Sequence, residues 1–277
     1  MRYLLSIFAI LMLLAANPSL ASNQKITANY DIYAGGIHAM NAQFLYTQKN
    51  GTYSSTMRIK PVGWVGKLLP WGGTYRTTGR IDANGVLWPL QHDNESTWRD
   101  ERDVTRLNFN KNGQLAGVQQ RDYLPNGALR NAYAMSFDSS NANTIDIMSA
   151  VFRTLLQASG QLKNHPANCT RQNMVFDGKR RYNLAFTTQK PSMAIKTKYN
   201  NYAGPYQLCQ FEVKPVAGFE GKPRGFYAMQ QESRKLGQLP FLWIAQLKPN
   251  TPYMPVRMQL KSGYGTVIMH FQSAQFE

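Results

Sequence analysis

Apolar side chains recur on every second residue along much of this chain, and Asn-Gly or Asp-Gly pairs interrupt them at short intervals. That combination confines the fold to antiparallel hairpins. Met40, Ala42, Phe44 and Tyr46 alternate with polar neighbours. After Asn50-Gly51 the next run sets Tyr53, Ser55, Met57 and Ile59 against Thr52, Ser54, Thr56, Arg58 and Lys60. Period two with one wet face marks a half-buried strand. Asn-Gly supplies the positive φ angles that a two-residue hairpin needs. The same punctuation stands at Asn84-Gly85, Asn112-Gly113, Asn126-Gly127 and Asp177-Gly178. Thr105 to Phe109, then Tyr182, Leu184 and Phe186, then Val267, Met269 and Phe271 continue the strand pattern.

Two segments break the alternation. Residues 143–158 predict a helix that Asn143 or Thr144 can cap. Ile147, Met148, Val151, Phe152, Leu155 and Leu156 share one face at helical spacing. Gly160 stands just past the end, where a left-handed residue is wanted. Residues 61–73 are the other break. There Trp64, Val65, Leu68, Leu69 and Trp71 crowd around a single charge, Lys67, and Pro70 stops any longer helix. The bland reading is a plug in the core, and it is preferred. The sharper one is a hydrophobic lid, a ligand contact or a wedge for a membrane surface.

The N-terminus predicts export. Arg2 precedes an apolar run from Tyr3 to Ala16, and Ser19-Leu20-Ala21 places small residues at a cleavage site. That run is shorter than the roughly 20 residues of a spanning helix. Residues 1–21 are therefore expected to be a cleaved signal peptide, and 22–277 one β-rich domain in the periplasm with no transmembrane span. Cys169 and Cys209 are the two cysteines, which excludes a lipoprotein anchor next to the cleavage site. In an oxidising compartment they predict a Cys169–Cys209 disulfide. The formal charge is +16, and loss of Arg2 with the leader leaves +15. After export the polyanions at hand are anionic lipid, lipopolysaccharide and cell-wall polymer rather than nucleic acid.

No catalytic constellation stands out. His38, His92, His165 and His270 are scattered, and only His165 lies near a cysteine, Cys169. The chain lacks a Gly-x-Ser-x-Gly turn, a phosphate loop and a His-Glu-x-x-His motif. Asp100, Glu101 and Asp103 lie among Arg99, Arg102 and Arg106 as a solvated hairpin of alternating charge. The chain is expected to be no enzyme and to take no cofactor or metal.

The second half carries an ordered set of short elements. Ile145-Asp-Ile-Met-Ser-Ala-Val-Phe-Arg153 is followed by Phe176-Asp-Gly-Lys-Arg-Arg-Tyr182 and Tyr202-Ala-Gly-Pro-Tyr-Gln-Leu-Cys209. Pro215-Val-Ala-Gly-Phe219, Leu242-Trp-Ile-Ala245, Pro255-Val-Arg257 and Gly265-Thr-Val267 come next. This order resembles the bacterial family called domain of unknown function 3108. The resemblance implies export and assigns no activity. By looser analogy it implies the form of curved-sheet lipoprotein carriers and envelope-integrity proteins. The expected fold is mainly β: a long curved antiparallel sheet, an open barrel or β-spiral, around one central helix. The expected function is a non-enzymatic envelope protein that binds a cell-envelope partner. The alternative is a carrier of a lipid or other hydrophobic ligand in the concave sheet.

Overall fold

A computed structural model describes residues 23–68, 70–137, 144–223, 225–263 and 265–277. The predicted leader, 1–21, lies outside the described residues, as do Leu69 and Asn143. The strands are β1 (Gln24–Ala34), β2 (Ile37–Lys49), β3 (Thr52–Pro61), β4 (Trp71–Ile81), β5 (Leu87–Trp98), β6 (Glu101–Phe109), β7 (Leu115–Tyr123) and β8 (Leu129–Ser136). After the helix come β9 (Arg171–Phe176), β10 (Arg181–Thr188), β11 (Ser192–Ala194), β12 (Gly204–Ala217), β13 (Phe241–Gln246), β14 (Tyr253–Ser262) and β15 (Gly265–Phe276). The helices are α1 (Val65–Leu68), α2 (Ile147–Ala158) and α3 (Gly225–Lys235).

All the strands join one antiparallel sheet in the order β8-β7-β6-β5-β4-β3-β2-β1-β15-β14-β13-β12-β10-β9, with β11 beside β12. The mainly β expectation is met, and its open form is the one adopted. A closed barrel does not form, because β8 and β9 are ends that do not pair. The β9–β10 turn instead rests inside the other end. Gln120 Nε2 of β7 donates to the Gly178 carbonyl at 3.1 Å. A Cβ on Gly178 would meet Thr105 Cγ2 of β6 at 2.4 Å, so this overlap needs glycine.

The Asn-Gly pairs make two kinds of turn. Asn50 and Gly51 both have positive φ, 50° and 73°, the two-residue hairpin expected. At Asn84-Gly85, Asn112-Gly113 and Asn126-Gly127 only the glycine is left-handed. There the loop is one residue longer. Asp82, Asn110 and Leu124 each bond the residue four places on, at 2.9–3.0 Å, and accept from the glycine N–H. The side chains of Asp82 and Asn110 close the loop by accepting two further backbone N–H groups each.

Helix α2 lies on the concave side and touches β4, β5, β9 and β14, so the sheet wraps it. The ring of Phe152 lies tilted against Tyr46 and Phe44, with centroids 4.1 and 5.7 Å away. Leu155 and Leu156 are buried beside it, while Ile147, Met148 and Val151 are half-buried. Asp146 caps the helix, its carboxylate accepting from the Ser149 N–H at 2.9 Å. The expected cap at 143–144 is displaced because Ile145 is held by a parallel bridge to Val175 of β9. Gly160 closes the helix at φ 73°, as expected. Cys169 and Cys209 form the disulfide, which ties the segment after α2 to β12.

Helix α3 has no counterpart in the sequence reading. Its buried residues are Gln230 and Ser233, so it lacks the apolar stripe that announces a helix. Its task is polar. β13 pairs with β12 only as far as Gln210, which leaves the later residues of β12 short of a partner. Gln230 accepts from Val213 N–H at 2.7 Å and donates to Val213 C=O at 2.9 Å. One side-chain amide thus stands in for a strand.

Candidate functional site

The segment 61–73 does not enter the core. Trp64 is 57% exposed and Leu68 67%, and Val65 alone among its described large residues is buried. The preferred plug reading is therefore wrong. The physical reason is that α1 is a single turn at the end of the sheet, and α2 already fills the interior. Trp71 is half-buried and pairs across β4–β5 with Trp98, which is 48% exposed. The Arg99 N–H donates to the Pro70 carbonyl at 2.8 Å and fixes the two turns together.

Strand order makes this cluster one part of a rim. The β3–β4, β5–β6 and β7–β8 connections leave the same end of six adjacent strands. Successive connections are separated by two strand spacings, about 10 Å. The exposed apolar residues of these strand ends are Trp64 and Leu68, then Trp98, then Leu124 and Leu129. Arg102 is paired with Glu95 and Arg130 with Glu101. Lys60, Lys67 and Arg99 are exposed and make no ion pair among the described residues; Asp100 and Asp103 are exposed carboxylates at the β5–β6 connection.

A second surface borders the rim. All eight residues of β8 are exposed, Leu129, Tyr133 and Met135 among them. Phe137 N–H donates to Ala116 C=O, and the β7–β8 register is regular from Gly117/Ser136 to Asp122/Asn131. Alternation then points the backbone N–H and C=O of Ala132, Ala134 and Ser136 away from β7. No described strand takes them up. A hollow of about 250 Å³ opens beside this edge, between Asn108, Val118 and Met135. Natural edges are blunted by lysine, proline or a bulge. From Asn131 to Ser136, β8 has no lysine, proline or bulge; the register shift falls at Arg130, before this stretch.

The interior holds one polar centre. Thr77 Oγ1 donates to Asp146 Oδ1 at 2.7 Å and lies 2.8 Å from His92 Nδ1. Having given its proton to Asp146, the hydroxyl can only accept from His92, so His92 carries a proton on Nδ1. That nitrogen is also 3.2 Å from Asp146 Oδ1. Tyr53 OH reaches Ser149 Oγ at 2.8 Å. Burial pushes the Asp146 carboxyl up, but the adjacent His92 charge and the hydrogen bonds from His92 and Ser149 outweigh it and hold the pKa at about 2. All these groups are buried. The arrangement fastens the start of α2 to β3, β4 and β5. Arg153 adds a clamp farther along, its Nε donating to the Leu87 carbonyl at 2.9 Å.

Sequence reasoning missed three parts of this. Trp98, Leu124 and Leu129 are far from Trp64 along the chain, and only strand order unites them. The bare edge depends on which strand comes last, which no residue pattern announces. The polar centre did leave a trace: Asp146, just before the apolar run from Ile147, is an N-cap residue type.

The protein family described as protein of unknown function (DUF3108) matches residues 29–272. The chain belongs to this family. None of the curated proteins matches it. Among solved structures, one of MucB in complex with MucA(peri) is similar at 11% identity, covering 90% of this chain and 89% of that one, with a TM-score of 0.13. A likeness that slight carries neither fold nor partner across. Among the described residues no helix is long and apolar enough to cross a membrane.

Proposed function

We propose that this protein is exported to the cell envelope and acts by binding, not catalysis, with an extended segment of an envelope partner added along β8. The observation that carries this reading is the unguarded β8 edge. Edge addition gives affinity through main-chain hydrogen bonds and specificity through alternate side chains. The waiting N–H and C=O groups are those of Ala132, Ala134 and Ser136, and small alanines leave the approach open. On the other face Tyr133 and Met135 would flank the incoming side chains. Export is supported by the leader-like pattern of 1–21 and by a disulfide, which suits an oxidising compartment. The carrier alternative needs an apolar cavity on the concave side, where α2 sits.

A photo-crosslinking residue at Tyr133, introduced in the native host, tests the edge. Adducts are expected there and not at Arg76, an exposed position on β4. Ala132→Pro removes an N–H that points away from β7 and should abolish the adducts. Their absence at Tyr133 would overturn edge binding. Fractionation with N-terminal sequencing tests export separately: a start near Ser22 is expected, and Met1 intact in the cytoplasm would remove that half of the reading.

A further inference from the structure

We infer that the rim made by the β3–β4, β5–β6 and β7–β8 connections docks onto the surface of an anionic phospholipid bilayer. The inference stands apart from β8 binding, since it uses strand ends and not a strand edge. Three observations converge on a bilayer. First, the exposed apolar groups are spread along the rim: Trp64 and Leu68 on one connection, Trp98 on the next, joined to the first through its cross-strand pair Trp71, and Leu124 and Leu129 on the third. A row of apolar groups carried on three connections suits a soft surface that closes around each one, whereas the core of a protein interface is a closely packed patch. Second, the leading groups are indoles beside cations. Tryptophan settles at headgroup depth because its ring is apolar and its N–H polar. Lys60 and Lys67 flank Trp64 along the chain and Arg99 follows Trp98, all without ion pairs among the described residues, and lysine is a residue that protein interfaces tend to exclude. Third, the chain's +16 formal charge draws it as a whole toward a negative plane. The exposed carboxylates Asp100 and Asp103 oppose this, against the three free cations Lys60, Lys67 and Arg99.

Trp64 and Leu68 are exposed enough that removing them leaves the core untouched. Trp64→Ser with Leu68→Ser should therefore keep thermal stability while losing the membrane. The assay is co-sedimentation of the protein as purified from its native host, its N-terminus fixed by mass spectrometry, with vesicles of phosphatidylglycerol and phosphatidylcholine or of phosphatidylcholine alone. The parent should bind the anionic vesicles and not the neutral ones, and added salt should weaken it. The double variant should bind about tenfold or more weakly, and Lys67→Ala about fivefold more weakly. Met193→Ser with Ile195→Ser is the control, because those exposed residues lie at the opposite end of the strands, where β11 pairs with the start of β12. It should change nothing. Failure of the parent to bind anionic vesicles would overturn the inference, as would equal losses in control and rim variants. A dimer that the rim variant disperses, with no vesicle binding, would hand the rim to a second copy and overturn it too.

Discussion

The two ends of this sheet are treated in opposite ways. At the β9 end, Ile145 bridges Val175 through backbone bonds of 3.0 Å to Met174 and Phe176. Helix α2 packs against β9, and Gln157 accepts from Arg171 at 2.8 Å. The β9–β10 turn is folded onto β6 and β7. At the β8 end nothing comparable happens among the described residues: every side chain is exposed. An edge strand left bare invites association with other chains, and proteins ordinarily prevent it. Among the described residues, one edge is guarded by the central helix and the other is open. The guarded end serves stability, and under the proposed reading the open end serves binding.

The sharpest way to break that comparison is to attack the fastening of α2. Asp146→Ala removes both the helix cap and the partner of His92. Losing the cap and leaving buried donors without their acceptor together cost about 3–5 kcal/mol. Chemical denaturation of the variant should show a loss in that range. A cost below about 1 kcal/mol would mean that the polar centre does not hold the guarded end.

The disulfide should come next. Cys169 precedes β9 and Cys209 lies in β12, with Cα atoms 6.2 Å apart and a sequence separation of 40. Replacing both by serine should lower stability by about 3–4 kcal/mol on the loop-entropy argument. Thiol labelling of the unfolded, unreduced protein should find no free thiol; two would remove the bridge from the account.

Local signals in the sequence announced the strands, the turns, α2 and the cysteine pair, because each rests on neighbours within a few residues. The alternation of Met40 to Tyr46 and the Asn50-Gly51 turn are local in that sense. What the sequence withheld was order in space. Whether Trp64 is a plug depends on whether the interior is already full, and Phe152, Leu155 and Leu156 fill it from far along the chain. Helix α3 escaped notice because Gln230 is buried for two backbone hydrogen bonds and not for apolar contact. The bare edge was invisible because β8 reads like any other strand; its exposure follows from having no neighbour beyond it.

A smaller effect separates charge from capping at the guarded end. The Asp146 pKa is held at about 2, below the ordinary 3.8. A lowered carboxylate pKa stabilises the fold above the unfolded value, and that gain disappears as pH falls through the folded value. The window therefore runs from about pH 4 down to about pH 2, and the linked loss is about 2 kcal/mol. Asp146→Asn keeps a capping oxygen but cannot titrate. Between neutral and strongly acid pH the parent should lose about 2 kcal/mol more than this variant. Parallel stability profiles would show that the fold does not hold the Asp146 carboxyl below its ordinary value.

The smallest expected effect sits at the open end, and its smallness is the point. Tyr133 is 46% exposed and Met135 45%, so Tyr133→Ser with Met135→Ser should change stability by less than about 0.5 kcal/mol. Hydrogen exchange supplies the finer measure. The amides of Ala132 and Ala134 point away from β7 and should exchange as freely as loop amides. Those of Tyr133 and Met135 point toward β7 and should be slowed. Slow exchange at Ala132 and Ala134 in the isolated protein would mean that something already occupies the edge, either residues outside those described or another copy. In that case dilution separates the two: protection by another copy fades with concentration, and protection from within the chain does not. Free exchange at those two amides that becomes slow only with an envelope extract present, and stays free in Ala132→Pro at Ala134, would show the edge being filled by a partner along its main chain.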